Sequence, residues 1–210
     1  MVRALRHFVA FASLFTTGVG LVGLAGWALE TGMARPAIAG PVIIQPLTAI
    51  ALALCGGSLW LLRTRGDLPR GHRRRAGQLL AAVAAVLSLF GLLDSQVGWP
   101  LSIGRFFLLD SGVSETFANT RPGLIAPVAA LDCLLVGLAL LCLDWPVTPF
   151  VQRNGPAQLL AFAANTGALV GLLDVLLGAR TSSSPLALQA AGALFLVSFA
   201  GACARTNWGL

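Results

Sequence analysis

Long apolar windows alternate with short polar segments along the whole chain. Six windows stand out, at 8–29, 41–62, 76–98, 122–143, 154–178 and 184–204. Each is long enough to cross the hydrocarbon of a bilayer, which takes about 20 predominantly apolar residues. Only single acids interrupt them: Asp94 late in the third, Asp132 in the fourth and Asp174 late in the fifth. The pattern predicts an all-α integral membrane protein with six transmembrane helices, a single membrane domain over 1–210 with no room for a soluble one. The first window follows Arg3 and Arg6 as a signal peptide would, but its 22 residues exceed the roughly 7–15 of a signal-peptide core. It reads as a retained first helix.

Composition agrees with the pattern. Of 210 residues, 57% are hydrophobic and 10% charged, against about a quarter charged in soluble domains; mean hydropathy is +0.83. All 14 basic residues are arginine. The net charge of +6 sits on no basic, aromatic-interleaved face of the kind that binds nucleic acid. It follows topology instead. Six spans place the N-terminus, 63–75, 144–153 and the C-terminus on one side, with Arg3, Arg6, Arg63, Arg65, Arg70, Arg73, Arg74, Arg75, Arg153 and Arg205. The other side has Arg35, Arg105, Arg121 and Arg180. The positive-inside rule then puts both termini in the cytoplasm, and the reading is of a multi-pass bacterial inner-membrane protein, N-in and C-in. Trp27, Trp60, Trp99, Trp145 and Trp208 all fall at span ends, where indole prefers the headgroup region.

The chain also repeats itself. Gly91-Leu92-Leu93-Asp94 returns as Gly171-Leu172-Leu173-Asp174, and Gly23-Leu24-Ala25-Gly26, with Glu30 beyond it, is a weaker counterpart. The even-numbered helices open on Pro46, Pro127 and Pro185, a residue tolerated at a helix start because its missing N–H has no partner there. Three tandem hairpins follow, at about 1–65, 76–145 and 156–205. All have one orientation, unlike the inverted repeats of many transporters, so a small transporter is the weakest of the membrane functions.

These residues resemble a known family. Pro46-Leu47-Thr48-Ala49 and Gly137-Leu138-Ala139-Leu140-Leu141 are similar to the hairpin openings and leucine-rich helices in the N-terminal membrane region of bacterial sensor proteins, mainly histidine kinases and diguanylate cyclases. Segment 91–107, through Ile103-Gly104-Arg105-Phe106-Phe107, resembles that family's second outer loop, and Arg121-Pro122-Gly123 its lead-in to the fourth helix. The resemblance covers nearly the whole chain and implies a sensory membrane region. Family members continue into cytoplasmic output domains where this sequence ends at Leu210.

No catalytic constellation is visible: there is no Ser/His/acid set, P-loop, GxGxxG or HExxH, and no enzyme activity is expected. His7 and His72, the two histidines, supply no axial pair for a cofactor. Cys55, Cys133, Cys142 and Cys203 fit no metal spacing and read as small hydrophobes, so neither metal nor cofactor is expected. The acids carry more information. Asp94, Asp132 and Asp174, with Glu30, Gln96, Gln189 and Thr48, are expected to form a polar layer in the outer third of the bundle, with Asp132 at comparable or slightly greater depth. An acid at a span centre costs about 2.5–3.5 kcal/mol on insertion scales, so these groups should face protein or water. Either each acid pairs with an outer arginine (Arg105, Arg121, Arg180) and fixes helix register, or Glu30, Asp94, Asp132, Asp174 and Gln189 line a periplasm-facing ligand cavity.

The cluster Arg63, Arg65, Arg70, Arg73, Arg74 and Arg75 sets topology and meets anionic lipid headgroups, each worth about 1 kcal/mol near such a surface. Outer segment 99–121 is expected to lie on the membrane or over the bundle mouth. Gly18, Gly20, Gly23 and Gly26 suit close helix contact, within this chain or with another protein. Two functions lead. One is a sensory or anchoring module, as a homodimer or alone. The other is an accessory subunit packed against a larger respiratory or photosynthetic membrane complex.

Overall fold

The computed structural model describes residues 2–32, 46–63, 70–97, 127–142, 156–177 and 185–204. Six helices make up this part: α1 (Val2–Gly32), α2 (Pro46–Arg63), α3 (Arg70–Val97), α4 (Pro127–Cys142), α5 (Pro156–Leu176) and α6 (Pro185–Ala204). The even helices start at the three prolines expected, and α5 starts at a fourth, Pro156. The segment 99–121 lies outside the described residues.

Each helix packs antiparallel on its chain neighbours, and α1 packs on α6, so the six close into a ring. Across its interior α2, α4 and α6 meet one another, whereas α1, α3 and α5 sit between them at the periphery. Length follows position. The stretches His7–Gly26, Gly71–Leu93 and Pro156–Leu173, on the three peripheral helices, are long and apolar enough to cross a membrane. Leu47–Leu62, Val128–Cys142 and Gln189–Cys203, on the inner helices, are apolar but shorter.

On the three peripheral helices side-chain size is sorted in the reverse of a water-soluble bundle, while the inner helices bury Leu52, Leu59 and Leu140. The peripheral helices turn small residues inward, among them Ala12, Ser13 and Thr16 of α1, Ala81, Ala84 and Ser88 of α3, and Ala157, Ala161, Ala164 and Ala168 of α5. Their spacings of three, four and seven trace one face of a helix. The opposite faces present Phe11, Leu14 and Val22; Leu79, Val83 and Phe90; Leu159, Phe162 and Val170. Leu79 is 66% exposed and Leu159 is 67% exposed. Helix α2 shows no large exposed apolar side chain among its described residues, and α6 shows only Phe199. In water the large side chains would be the ones buried, since burying a Leu or Phe stabilises by about 1.5–3 kcal/mol.

Small residues bring the backbones close. A Cβ on Gly20 would stand 2.6 Å from Ala49 O and Ala53 N of α2. One on Gly56 would stand 2.7 Å from Thr17 N and 2.8 Å from Ser13 O of α1. The α1 glycine contact is therefore made inside the chain at Gly20, while Gly18 and Gly26 face open space. On α4, a Cβ at Gly137 would lie 3.2 Å from Ala81 O and 3.0 Å from the Ala85 methyl of α3. Gly56 and Gly137 each stand ten residues past their helix's opening proline. Their partners, Ser13 and Thr17 or Ala81 and Ala85, stand at equal distances before Gly23 and Gly91. The close contacts thus fall in the register of the sequence repeat.

Buried hydroxyls add further links between helices. Ser58 Oγ donates to Gly77 O of α3 at 2.8 Å. Thr16 Oγ1 is shared between Ala12 O at 2.8 Å and Ala193 O of α6 at 3.2 Å. Near the same seam Phe8 meets Phe199 edge to face, centroids 5.7 Å apart. Such bonds average about 0.6 kcal/mol in a membrane interior, so close packing carries more of the association.

Candidate functional site

Asp132 is the polar group that stands out. It lies on α4 five residues after Pro127 and is 2% exposed, with the bundle closed around it. Its carboxyl rests on α5 at Gly167, where an added Cβ would overlap Asp132 Oδ1 and stand 3.1 Å from Cγ. No charged group and no hydrogen bond reaches it among the described residues; burial alone acts on it. Arg105, Arg121 and Arg180, the outer arginines expected to pair with the acids, lie outside the described residues.

The repeat register shows how unusual this acid is. The position five past the opening proline is Ala51 in α2 and Ala190 in α6. On the odd helices, the position four before Gly171 is Gly167; the same step before Gly91 and Gly23 gives Leu87 and Val19. Two repeats therefore combine a small residue on the even helix with a large one on the odd helix. The third combination is inverted, an aspartate against a glycine. The acid occupies space that the fold elsewhere fills with an aliphatic side chain.

Around Asp132 the polar groups are few. Cys133, the next residue, turns toward α3, where fully buried Ser88 has only that thiol, a weak partner, beside its hydroxyl. Cys55 of α2 lies within electrostatic reach of Cys133. One turn below Asp132 on α4, Val136 opens a cavity with Ala139, Leu140, Ala161, Val197, Ser198 and Gly201, with room for about one water molecule. On its wall Ser198 Oγ lies 3.2 Å from Asn165 Oδ1 of α5 and 3.0 Å from Phe195 O.

Most of the remaining expected side chains lie outside the described residues. Asp94 and Asp174 belong to α3 and α5, near Val97 and Leu176, where those helices end; their side chains lie outside the described residues. Asp132 is level with Ser88 and Gly167, six and seven residues further in. That is roughly 9–10 Å at 1.5 Å per residue, so Asp132 stands well below the depth expected for a common outer layer. Glu30 is in the last turn of α1, its side chain outside the described residues, as is that of Gln96. Gln189 faces away from the bundle. Thr48 is buried at the start of α2.

The arginine cluster is also placed differently from expectation. Instead of a loop through residue 75, α3 starts at Arg70, so Arg70, Arg73, Arg74 and Arg75 ride its first two turns. Arg74 and Arg75 are exposed, while Arg73 is half-buried with its Nε enclosed and unpartnered. Arg63 ends α2, its side chain outside the described residues, and Arg65 lies outside them altogether. No acid occupies the first turn of α3. Cations there oppose the helix dipole by about 0.3–1 kcal/mol each, an arrangement that anionic groups beside them would relieve.

Sequence reasoning singled out neither Gly167, Ser88 nor the Asn165–Ser198 pair. Cys55, Cys133, Cys142 and Cys203 are free thiols, the first two buried, and no group of three metal-ligating side chains forms among the described residues. No family model, curated protein or solved structure matches this chain.

Proposed function

We propose that this protein is a six-span membrane module of the bacterial inner membrane, sensory or anchoring in role, with both termini in the cytoplasm. The reading rests on one observation above all. On the three peripheral helices the inward faces are mostly alanine, serine and threonine, while leucine, valine and phenylalanine point outward, and the buried leucines come from the inner helices, as Leu52, Leu59 and Leu140 do. This arrangement suits a lipid solvent, where close backbone packing replaces the hydrophobic effect. The three shorter helices gain shelter inside the ring formed with the longer ones. Ten arginines on one side against four on the other set the orientation, and the exposed Arg74 and Arg75 stand where lipid phosphates would answer the helix dipole. The sensory role is supported by the resemblance to sensor membrane regions and by an acid held inside the bundle.

Reporter fusions after residues 35, 110 and 180, compared with fusions after 67, 148 and 210, test the topology. Export of the first set and retention of the second is the expected result. Extraction of the protein by an alkaline wash overturns the membrane reading. Purification in mild detergent separates the roles: a stoichiometric second protein would establish the accessory-subunit function in place of the sensory one.

A further inference from the structure

We infer that Asp132 is a proton-binding site inside the bundle, set at the seam between α4 and α5. The inference rests on the membrane reading above and adds to it the ligand. Among the described residues Asp132 has neither ion pair nor hydrogen bond, and a carboxylate so placed is costly to bury and is accommodated by neutralisation. A metal ion is poorly suited to supply that neutralisation. Hard cations take six or more oxygen ligands, and no cluster of three acidic, cysteine or histidine side chains forms among the described residues. Gly167, against which the carboxyl rests, brings no side-chain oxygen.

The neighbours leave the proton as the fitting cation. Ser88 faces this level from α3, Cys55 from α2 and Cys133 from α4 itself, and Asn165 of α5 and Ser198 of α6 meet below it. None of them carries a positive charge. The proton comes from water as an O–H bond forms on one carboxyl oxygen, and returns to water when that bond breaks. The cavity one turn below, walled by Ser198, has room for about one such water.

A structural explanation is weakened by the repeat itself, because alanine serves at the equivalent positions of α2 and α6. The tight seam also gives the proton something to do. The ionised form demands hydration, and the carboxyl lies against the α5 backbone at Gly167, so proton release loosens the contact of α4 with α5.

The test uses the full chain in lipid nanodiscs and infrared spectroscopy. A carboxylic-acid C=O band in apolar surroundings, shifted in D2O, is expected at neutral pH in the unmodified protein. The band should disappear in Asp132→Asn and Asp132→Ala and persist in Asp94→Asn and Asp174→Asn. Its absence from the unmodified protein, or its survival in Asp132→Asn, overturns the inference. So does an Asp132→Ala protein that inserts but melts below the parent, which would make the acid structural. A chain that fails to insert condemns the membrane reading instead; an inserted chain without the band condemns only the proton site.

Discussion

The inverted size combination at Asp132 and Gly167 makes a prediction in which the sign of one substitution depends on the other. Gly167→Ala places a methyl group where Asp132 Oδ1 stands, with Cγ only 3.1 Å and Oδ2 3.3 Å away. Carbon contacts are comfortable at about 3.5–4.0 Å. The acid must rotate or the helices must part, and overpacking of this kind costs about 1–3 kcal/mol. Asp132→Ala acts through two opposed terms. It removes a buried polar group without a partner, worth about 1–3 kcal/mol, and leaves a void against Gly167 that costs about 24 cal/mol per Å³. The two nearly cancel, with a net gain in stability. In the double variant the new methyl enters that void, and the pair then resembles the apolar combinations of the other repeats. Coupling of about 1–3 kcal/mol is expected, since residues in contact interact on that scale. Equilibrium unfolding of all four proteins in mixed micelles measures it. Single effects that add to within about 0.5 kcal/mol, the range for independent sites, would refute the packing argument.

Glycine contacts elsewhere predict an order. Gly56→Ala should cost most, about 1–3 kcal/mol, because its neighbours Thr17 N and Ser13 O are backbone atoms that cannot turn aside. Gly137→Ala should cost less, its contacts being 3.0–3.2 Å, and Gly18→Ala, in open space, should be neutral or stabilising by up to about 1 kcal/mol; thermal unfolding in detergent ranks the three. Ser58→Ala removes the 2.8 Å bond to Gly77 O and should lower stability by about 0.6 kcal/mol in the same assay. Replacing Arg74 and Arg75 by glutamine should reduce the extra thermal stability given by anionic over neutral lipid, by about 1 kcal/mol per arginine, and added salt should narrow the difference further.

Periodicity and proline placement made the helices legible in the sequence, because apolar length and a fixed φ act locally. The start of α3 was not legible. Six arginines around Pro69 read as a connecting loop, yet arginine is a good helix former and its stem can lie along an apolar surface, so the helix begins at Arg70. The depth of Asp132 was misjudged for a different reason. Counting residues from Pro127 gives distance along α4 alone, whereas the level of Asp94 and Asp174 is set by antiparallel packing, seen only when Gly137 meets Ala81 and Ala85. Gly167 had no signal of its own in a chain with 24 glycines. It acquires meaning only once the acid opposite it is known.

A repeated architecture separates what the fold requires from what has been added to it. Gly56 and Gly137 make the same kind of contact at the same step in two hairpins, so that glycine belongs to the packing scheme; α6 carries Phe195 at that step and relies on Ser198 and Asn165 nearby. Asp132 has the opposite character. Nothing in the hairpin geometry calls for an acid where alanine serves twice, and the seam it occupies joins the second hairpin to the third rather than two helices of one hairpin. The one described charge-bearing side chain buried in the bundle therefore stands directly against the neighbouring hairpin at Gly167, where a change in its protonation acts on the packing of α4 against α5.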